Sequence, residues 1–479
     1  MITRGTLGGS TPKIHLRELE KQCRFIGMKK IRIASGSGFW GDSPEAPLQQ
    51  VRGGNINYLI LDYLAELTMS ILAAQREKNP ERGYAHDFVQ LACDLAPDID
   101  KSGFKIVTNA GGLNPSGLAR AIADELSKLP LSRKLHVAAV QGDNIHKDLD
   151  EFQKRGVAFD NLDSGEKLSS LGCPLITANA YLGCDGILQA LEHGADIIVT
   201  GRVADASLAL APMRYEFGWK KEDWNLLAQG MVAGHVIECG AQASGGNASF
   251  DWENIEDLAH VGFPIIEASE DGSMIITKHE GTGGAVTVET VKEQLVYEIG
   301  DPKNYLTPDV IVDFTTITVN QVAKDRVAII GATGKPPTEF YKVSASYPSG
   351  FKAEGTMLYA WPQAYKKASV ASEIIFSKMK DLGIVFEDTL VEFIGATACH
   401  GSRTEVNLEE LPEVQMRVAV RAKNKADVER FGREIAPLVL GGPPGATGYA
   451  SGRPKAQQVY AYWPTLIPRE YIQPHVRYF

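Results

Sequence analysis

The sequence predicts an α/β fold: a mostly parallel, doubly wound sheet with helices on both faces, followed by a C-terminal ferredoxin-like α+β domain. Short apolar strands alternate with helical patterns through the first half of the 479 residues, which is typical of parallel sheets. Each of those strands runs into a loop of Gly, Asn and Asp. After about Gly245 the segments alternate apolar and polar residues, as antiparallel strands do. A TIM-like barrel is the alternative, and it also gathers those loops at the carboxyl ends of the strands.

The first half holds the elements of the parallel sheet. Its predicted strands are residues 31–35, 58–61, 105–108, 135–140 and 196–200. Apolar residues at helical spacing predict the accompanying helices, at 64–77, 87–95, 116–128, 147–153, 188–193, 207–215 and 224–233. Between the first two strands, prolines and glycines leave room for only about two helical turns.

The second half holds shorter elements and the predicted domain boundary. Before the boundary we expect exposed strands at 273–278, 310–319 and 326–330. We also expect helices there at 287–298 and 368–382. The last hundred residues run strand, strand, helix, strand, as in a ferredoxin-like unit, at 389–394, 414–422, 426–440 and 457–462. The predicted domains are a lead-in at 1–28 with a short helix at 16–25, an α/β domain at 29–382 and the ferredoxin-like domain at 383–479.

Composition narrows the class of protein. The formal net charge of -10 argues against nucleic-acid binding, which needs a basic face. The six cysteines are scattered without a CxxC pair, as in proteins of a reducing, cytoplasmic compartment. We expect no signal peptide and no membrane-spanning segment, because no apolar run is long enough. The expected protein is a cytoplasmic homo-oligomer that binds a small anionic molecule and neither nucleic acid nor membrane.

The first glycine loop, GSGFWG at 36–41, has the spacing of a dinucleotide fingerprint. Gly36, Gly38 and Gly41 would admit a pyrophosphate, and Asp62 lies where an acid binds the ribose. Asp42 and two following prolines interrupt the long helix that this fingerprint needs. We therefore predict a substrate-binding loop that includes Asp42, and no cofactor. An NAD(P)- or flavin-dependent oxidoreductase is the alternative.

The loop NAGGLNP at 109–115 is a candidate catalytic and anion-binding segment. Asn109 is predicted to be catalytic, and Gly111 and Gly112 allow close approach of backbone amides to a substrate. The plainer alternative is a tight turn in which Asn109 caps its own backbone.

The loops QGDN at 141–144 and GRVAD at 201–205 supply the charges. Asp143 and Asp205 are predicted general acid/base groups; sharing a metal is a possible role for this pair, although no metal is predicted. Arg202 is predicted to clamp a carboxylate or phosphate, and Asn144 to bind substrate. The alternative makes both aspartates helix caps, one of them paired with Arg202.

Later segments offer further candidates. EGTGG at 280–284 precedes a predicted helix, so free amides are expected to bind an anion at Gly281, Thr282, Gly283 and Gly284. His400 is a predicted catalytic contribution from the C-terminal domain. Cys239 could be a nucleophile activated by His235, although most lone cysteines are small buried hydrophobes.

Together these segments resemble the acyclic terpene utilisation (AtuA-like) family. The residues that carry the resemblance are IRIASGSGFWGD (31–42), TNAGG (108–112), VQGDN (140–144), GADIIVTGRVADASLALAP (194–212), FGW (217–219), GHVIECGAQASGG (234–246), GFPI (262–265), EGTGG (280–284), YEIGDPKNYLTPDV (297–310) and YWPTLIPRE (462–470). Such proteins resemble components of bacterial clusters for citronellol and geraniol breakdown, which passes through branched acyl-CoA thioesters. The resemblance implies a cytoplasmic catabolic enzyme and transfers no catalytic residues.

The leading hypothesis is an enzyme that binds a branched or isoprenoid-type acyl-CoA or a polycarboxylate above the sheet edge. A CoA thioester would then be part of the substrate. Asp143 or Asp205 would move a proton beside a carbonyl in a hydratase, dehydratase or lyase step. A non-catalytic subunit of a catabolic complex, docked through the C-terminal domain, is a further alternative.

Overall fold

The computed structural model describes residues 28–448 and 452–479, so the lead-in helix predicted at 16–25 lies outside the described residues. The strands in chain order are β1 (Lys30–Ser37), β2 (Tyr58–Leu61), β3 (Lys105–Thr108), β4 (Val137–Gln141), β5 (Thr177–Ala180), β6 (Ile197–Thr200), β7 (Ile265–Ser269), β8 (Met274–Thr277), β9 (Tyr305–Leu306), β10 (Ile311–Asp313), β11 (Thr318–Ala323), β12 (Arg326–Ile330), β13 (Thr333–Lys335), β14 (Phe340–Ala360), β15 (Asp388–Ile394), β16 (Glu413–Ala422), β17 (Ala446–Gly448), β18 (Gln457–Pro468) and β19 (His475–Tyr478). The α-helices are α1 (Ala46–Arg52), α2 (Glu66–Lys78), α3 (Phe88–Ser102), α4 (Pro115–Leu126), α5 (Leu149–Lys154), α6 (Asp185–Glu192), α7 (Ser207–Phe217), α8 (Trp224–Glu238), α9 (Val288–Val296), α10 (Ala364–Asp381), α11 (Lys425–Ile435) and α12 (Leu438–Gly441).

The larger sheet has a parallel centre and antiparallel margins. Strands β1, β2, β3, β6 and β4 pair in parallel in that order. Strands β7, β8, β12 and β11 continue it antiparallel beyond β1, and β19 closes the other margin against β4. The sheet is therefore open and mixed, so the TIM-like alternative is wrong, and "mostly parallel" describes only its centre.

Helices cover both faces of this sheet, because its strands alternate apolar side chains between two cores. Ile33 and Ile60 point into the core that holds α6, α7 and α8. Leu59 and Ile106 point into the core formed with α3 and α4. Since both faces of the strands are buried, the parallel strands are almost wholly apolar, which is why the sequence predicted them within two residues of their observed bounds.

A second sheet has the order β15-β16-β14-β17, and β18 and β5 also pair with β14. Numbered along the chain from β14, this is the order 2-3-1-4, and α10 and α11 share one apolar core with these strands. The first half of β14 pairs with β5 and the second half with β16. Thus β14 connects the α/β part of the chain to the C-terminal strands. The domain division at residue 383 stays a prediction.

The fold positions a site by bringing five strand ends to one edge. Because β1, β2, β3, β6 and β4 run in parallel, the residues that follow each of them emerge on the same side. Strand β5 extends this edge towards the second sheet, since Ala180 N–H donates to Asp143 O at 2.7 Å. No helix within 28–448 or 452–479 is both long and apolar enough to span a membrane.

Candidate active site

A buried arginine lies at the centre of this edge. Arg202 follows β6 and is only 1 % exposed. Its Nη1 donates to Leu64 O at 2.6 Å, its Nε donates to Val203 O at 3.1 Å, and its Nη2 pairs with the Asp205 carboxylate. The guanidinium carbon also lies 4.4 Å from the ring centroid of Tyr181. Protein groups therefore fix the guanidinium in one place, which favours a fixed positive charge over a flexible clamp.

Two further residues build the wall on the β2 side of Arg202. Asn109 Nδ2 donates to Asp62 Oδ1 at 2.7 Å, and Asn109 Oδ1 accepts the Tyr63 N–H at 2.7 Å. Asp62, at the end of β2, is 6 % exposed. Burial raises the pKa of its carboxyl to about 6, although the Arg202 charge and the Asn109 hydrogen bond oppose that rise. Asn109 thus positions Asp62, and Asp62 is a group that titrates near neutral pH.

Asp143 braces the same cluster from the β4 side. Its Oδ2 accepts the Arg202 backbone N–H at 2.9 Å and Asn179 Nδ2 at 2.7 Å, and it is 2 % exposed. Burial also raises the pKa of this carboxyl. A Cβ at Gly201 would lie 2.4 Å from Asp143 Oδ1, so this approach requires glycine. The geometry makes Asp143 a support for the Arg202 loop, whereas the 30 % exposed side chain of Asp205 is open to a substrate.

The end of α8 adds a second group of polar side chains to this edge. His235 is buried, and its Nδ1 lies 2.8 Å from Glu238 Oε1. Burial opposes the charge on His235, but the Glu238 carboxylate outweighs it and raises the pKa of the imidazole. The charge of Glu238 also helps raise the pKa values of Asp62, Cys239 and Tyr305. The charges of Arg202, after β6, and of Glu238, at the end of α8, therefore both act on Asp62 at the end of β2.

Cys239 is poorly suited to nucleophilic catalysis in this environment. Burial, and then the charge of Glu238, raise the pKa of its thiol to about 12. The thiolate is the reactive form, so at neutral pH this side chain is almost wholly a neutral thiol. The nucleophile alternative is therefore not supported by the local electrostatics.

The first glycine loop packs against the same α8 terminus. Gly38 lies so close to Cys239 that an added Cβ would be 2.7 Å from the Cys239 carbonyl carbon. Its N–H donates to Asp42 Oδ2 at 2.8 Å, and Gly41 has a φ of +103°. Gly36 faces the side chains of β2 from within β1. The loop is thus an internal part of the site wall.

These residues do not fit a dinucleotide. The following helix, α1, has only 7 residues, Asp42 already holds the Gly38 amide, and buried Asp62 is bonded to Asn109. A pyrophosphate needs free amides at a helix start, and a ribose needs an accessible acid. Across the described ranges, no three His, Cys, Asp or Glu side chains are grouped so as to hold a metal ion.

The loop after β3 serves mainly to pack the edge. A Cβ at Gly111 would lie 2.5 Å from Thr200 O, and one at Gly112 would lie 2.2 Å from a Leu72 methyl. Asn114 Oδ1 accepts the Gly117 N–H at 3.0 Å and so caps α4. The glycines therefore allow β6 and α2 to approach the loop.

EGTGG lies at the same edge but far from Arg202. β8 and β6 are five strand positions apart, roughly 24 Å at the usual spacing. The amides of Gly283 and Gly284 donate to His260 O and Glu256 O at 2.8 Å, while the Thr282 N–H donates to His279 O. Thr287 caps α9 through a reciprocal bond with Thr290. The expectation of free amides is therefore wrong for Thr282, Gly283 and Gly284, and for Gly281 it stays a prediction.

His400 lies in the exposed connection between β15 and β16. That hairpin is the outer margin of the second sheet, and β16 and β14 separate it from β5. The structure therefore does not bring His400 into the Arg202 cluster.

Comparison with known proteins places the whole arrangement in a family. Residues 31–478 match the model of the acyclic terpene utilisation family protein AtuA. The chain belongs to the AtuA family. Neither curated proteins nor solved structures gave a significant match. Membership in the AtuA family implies a role in acyclic terpene utilisation, and it supports the resemblance drawn from the sequence.

Sequence reasoning missed three groups that the AtuA-family structure brings to this edge. Tyr181 stacks on Arg202, Tyr305 contacts the His235 ring with centroids 6.0 Å apart, and Glu238 bonds to His235. Tyr181 and Tyr305 lie in segments that contain glycines and charges, but nothing in those segments marks the aromatic rings themselves as part of the site. Glu238 could have been found, since His235 and Glu238 have the i, i+3 spacing of one helix face.

Proposed function

We propose that this AtuA-family protein is a cytoplasmic catabolic enzyme that moves a proton beside the carbonyl of a branched acyl-CoA or polycarboxylate. The step would be a hydration, a dehydration or a lyase cleavage. One observation carries the proposal: buried Arg202 lies in the field of two aspartates with different surroundings, Asp62 at 6 % and Asp205 at 30 % exposure. Pairs of carboxyls in unlike environments are typical of acid/base catalysis.

Asp205 is the proposed base because a substrate can reach it. Its carboxylate would take the proton from the carbon next to the carbonyl, and the electron pair left behind would move onto the carbonyl oxygen. The fixed charge of Arg202 would stabilise the resulting enolate, since a preorganised cation at a developing oxyanion lowers the barrier. Arg202 is held by Leu64 O and Val203 O, so it needs no reorganisation during the step.

Asp62 is the proposed second acid/base group. With its pKa raised to about 6, it changes protonation near the pH at which such enzymes work. Asn109 holds one carboxyl oxygen. In a dehydration, protonated Asp62 would give its proton to the leaving hydroxyl as the carbon–oxygen bond breaks, so that water departs and the electron pair of the enolate forms the new double bond. Hydration is the reverse, and proton exchange with solvent returns both carboxyls to their starting states.

The test follows proton exchange, because it does not depend on the direction of the reaction. Purified protein is mixed in D₂O with a branched 3-hydroxyacyl-CoA, whose saturated carbon next to the carbonyl carries an acidic hydrogen, and deuterium at that carbon is measured by mass spectrometry. Asp205→Asn should slow exchange by about 100-fold or more, the usual contribution of a positioned base. Asp150→Asn, an exposed aspartate of α5, is the matched control and should exchange at the wild-type rate.

Folding is checked by circular dichroism for both variants. A wild-type exchange rate in Asp205→Asn would overturn the proposed base. Failure of the wild-type protein to exchange any branched thioester or polycarboxylate would overturn the acid/base function itself.

A further inference from the structure

A large cavity lies beside the Arg202 cluster and is not part of it. Its volume is about 800 Å³, which is within the range of small-molecule sites. It is lined by residues of α2, by Leu175 and Thr177, and by Pro348 of β14 and Tyr460 of β18. The cavity therefore sits between the edge of the first sheet and the second sheet.

The cavity has an apolar side. Ala73 and Ala74 of α2 face it together with Leu113, Leu175 and Pro348. Apolar walls of this kind bury a hydrocarbon chain, with a gain proportional to the area removed from water. The two alanines are small, so α2 leaves space where longer side chains would fill it.

The lining of the same cavity includes two cationic side chains, Arg76 and Lys147. Arg76 Nη1 donates to Leu113 O at 3.0 Å, and His146 also lines the cavity. His146 Nε2 lies 2.8 Å from Leu175 O. Glu77 of α2 also lines the cavity, and burial and then the charge of Glu77 raise the pKa of Tyr460. Anion-binding groups and a hydrocarbon surface thus occur side by side.

We propose that this cavity binds an amphipathic anion: an apolar chain whose carboxylate or phosphate lies against Arg76 and Lys147. The inference rests on the proposed function in one respect, that the ligand is the substrate. Asn144 lines the cavity and directly follows Asp143, which holds the Arg202 backbone. A chain in the cavity would therefore enter the site at the loop after β4. The anion is either the carboxylate of the chain or a phosphate of a thioester carrier.

Isothermal titration calorimetry with the full chain separates these sources. The probes are decanoate, decanol, coenzyme A and decanoyl-CoA. Decanoate binding well above that of decanol assigns the cations to a carboxylate. Tighter binding of decanoyl-CoA than of both decanoate and coenzyme A assigns them to the carrier phosphates. If the protein binds none of the three anions (decanoate, coenzyme A and decanoyl-CoA), the inference is overturned.

Variants locate the binding. Arg76→Gln and Lys147→Gln should each weaken the bound anion by about tenfold or more, as loss of a charge-assisted contact does. Ala74→Trp should fill the cavity and abolish chain binding. Lys78→Gln, at an exposed position on the same helix, is the control and should leave the affinity unchanged. Wild-type affinity in Arg76→Gln, Lys147→Gln and Ala74→Trp, with normal thermal melting, would refute the site.

Binding to Asp205→Asn distinguishes this inference from the proposed function. If that variant binds the anion as the wild type does but loses exchange, both hold. If it exchanges normally while the cavity variants lose binding, the proposed base is wrong and the cavity is still a ligand site.

Discussion

Asp143→Ala tests whether Asp143 is a brace or a catalytic group. The substitution removes the acceptor of two buried donors, the Arg202 N–H at 2.9 Å and Asn179 Nδ2 at 2.7 Å. A buried donor left unpaired costs about 1–3 kcal/mol, so the two together cost about 2–6 kcal/mol. Burial of the carboxylate is itself unfavourable, as its raised pKa indicates, and part of that cost is recovered. We expect the free energy of unfolding to fall by about 2–4 kcal/mol.

The assay is a urea titration followed by tryptophan fluorescence and circular dichroism. Asp143→Asn is the informative companion, because its amide oxygen can still accept from both donors, and it should lose about half as much. Asp150→Ala, on the exposed face of α5, should stay within about 0.5 kcal/mol of the wild type. An Asp143→Ala protein of unchanged stability that has lost all deuterium exchange would refute the bracing role and restore Asp143 as a catalytic candidate.

Two further predictions concern pH. Asp62→Asn should remove the basic limb of the dehydration rate, which in the wild type should fall above about pH 6 as this carboxyl loses the proton that it donates; an unchanged profile would assign the limb to another group. Burial of Asp196 opposes its charge, but the Arg133 pair and the His136 N–H lower its pKa. The contribution of Asp196 to the free energy of unfolding is therefore fully present above its unfolded pKa of about 3.9. That contribution is lost as the pH falls through the lower pKa of the folded state. Asp196→Asn should cost about 1–3 kcal/mol at pH 7, and equal urea midpoints for variant and wild type at that pH would contradict it.

The edge of the sheet could be predicted because its determinants are local. Strands β2 and β3 are short apolar runs followed directly by polar loops, and parallel pairing places those loops together whatever the rest of the chain does. Strand β5 could not be predicted in this way. Its sequence, TANA, has no strand signature, and it pairs with β14 of the second sheet and with no strand of the first. Only the long-range partner makes it a strand.

The glycine loops show where local reasoning fails. EGTGG has the composition of an anion site, but the amides of Thr282, Gly283 and Gly284 bond to carbonyls of His279, His260 and Glu256. Two of those carbonyls come from a segment about twenty residues earlier, which no local motif announces. Free amides depend on what packs against a loop, and glycine indicates only that something can approach closely.

The roles proposed for the aspartates follow from what surrounds them and not from residue type. All three aspartates lie near Arg202, and from residue type alone Asp143 and Asp205 are equal candidates for the acid/base pair. In the structure, one carboxylate oxygen of Asp143 accepts hydrogen bonds from two amide groups of the protein. A substrate would have to break those bonds to reach that oxygen. Asp62 keeps a raised pKa because burial outweighs the nearby guanidinium. Asp205 meets that guanidinium at the solvent boundary, and it is therefore the aspartate whose loss should affect the reaction before it affects the fold.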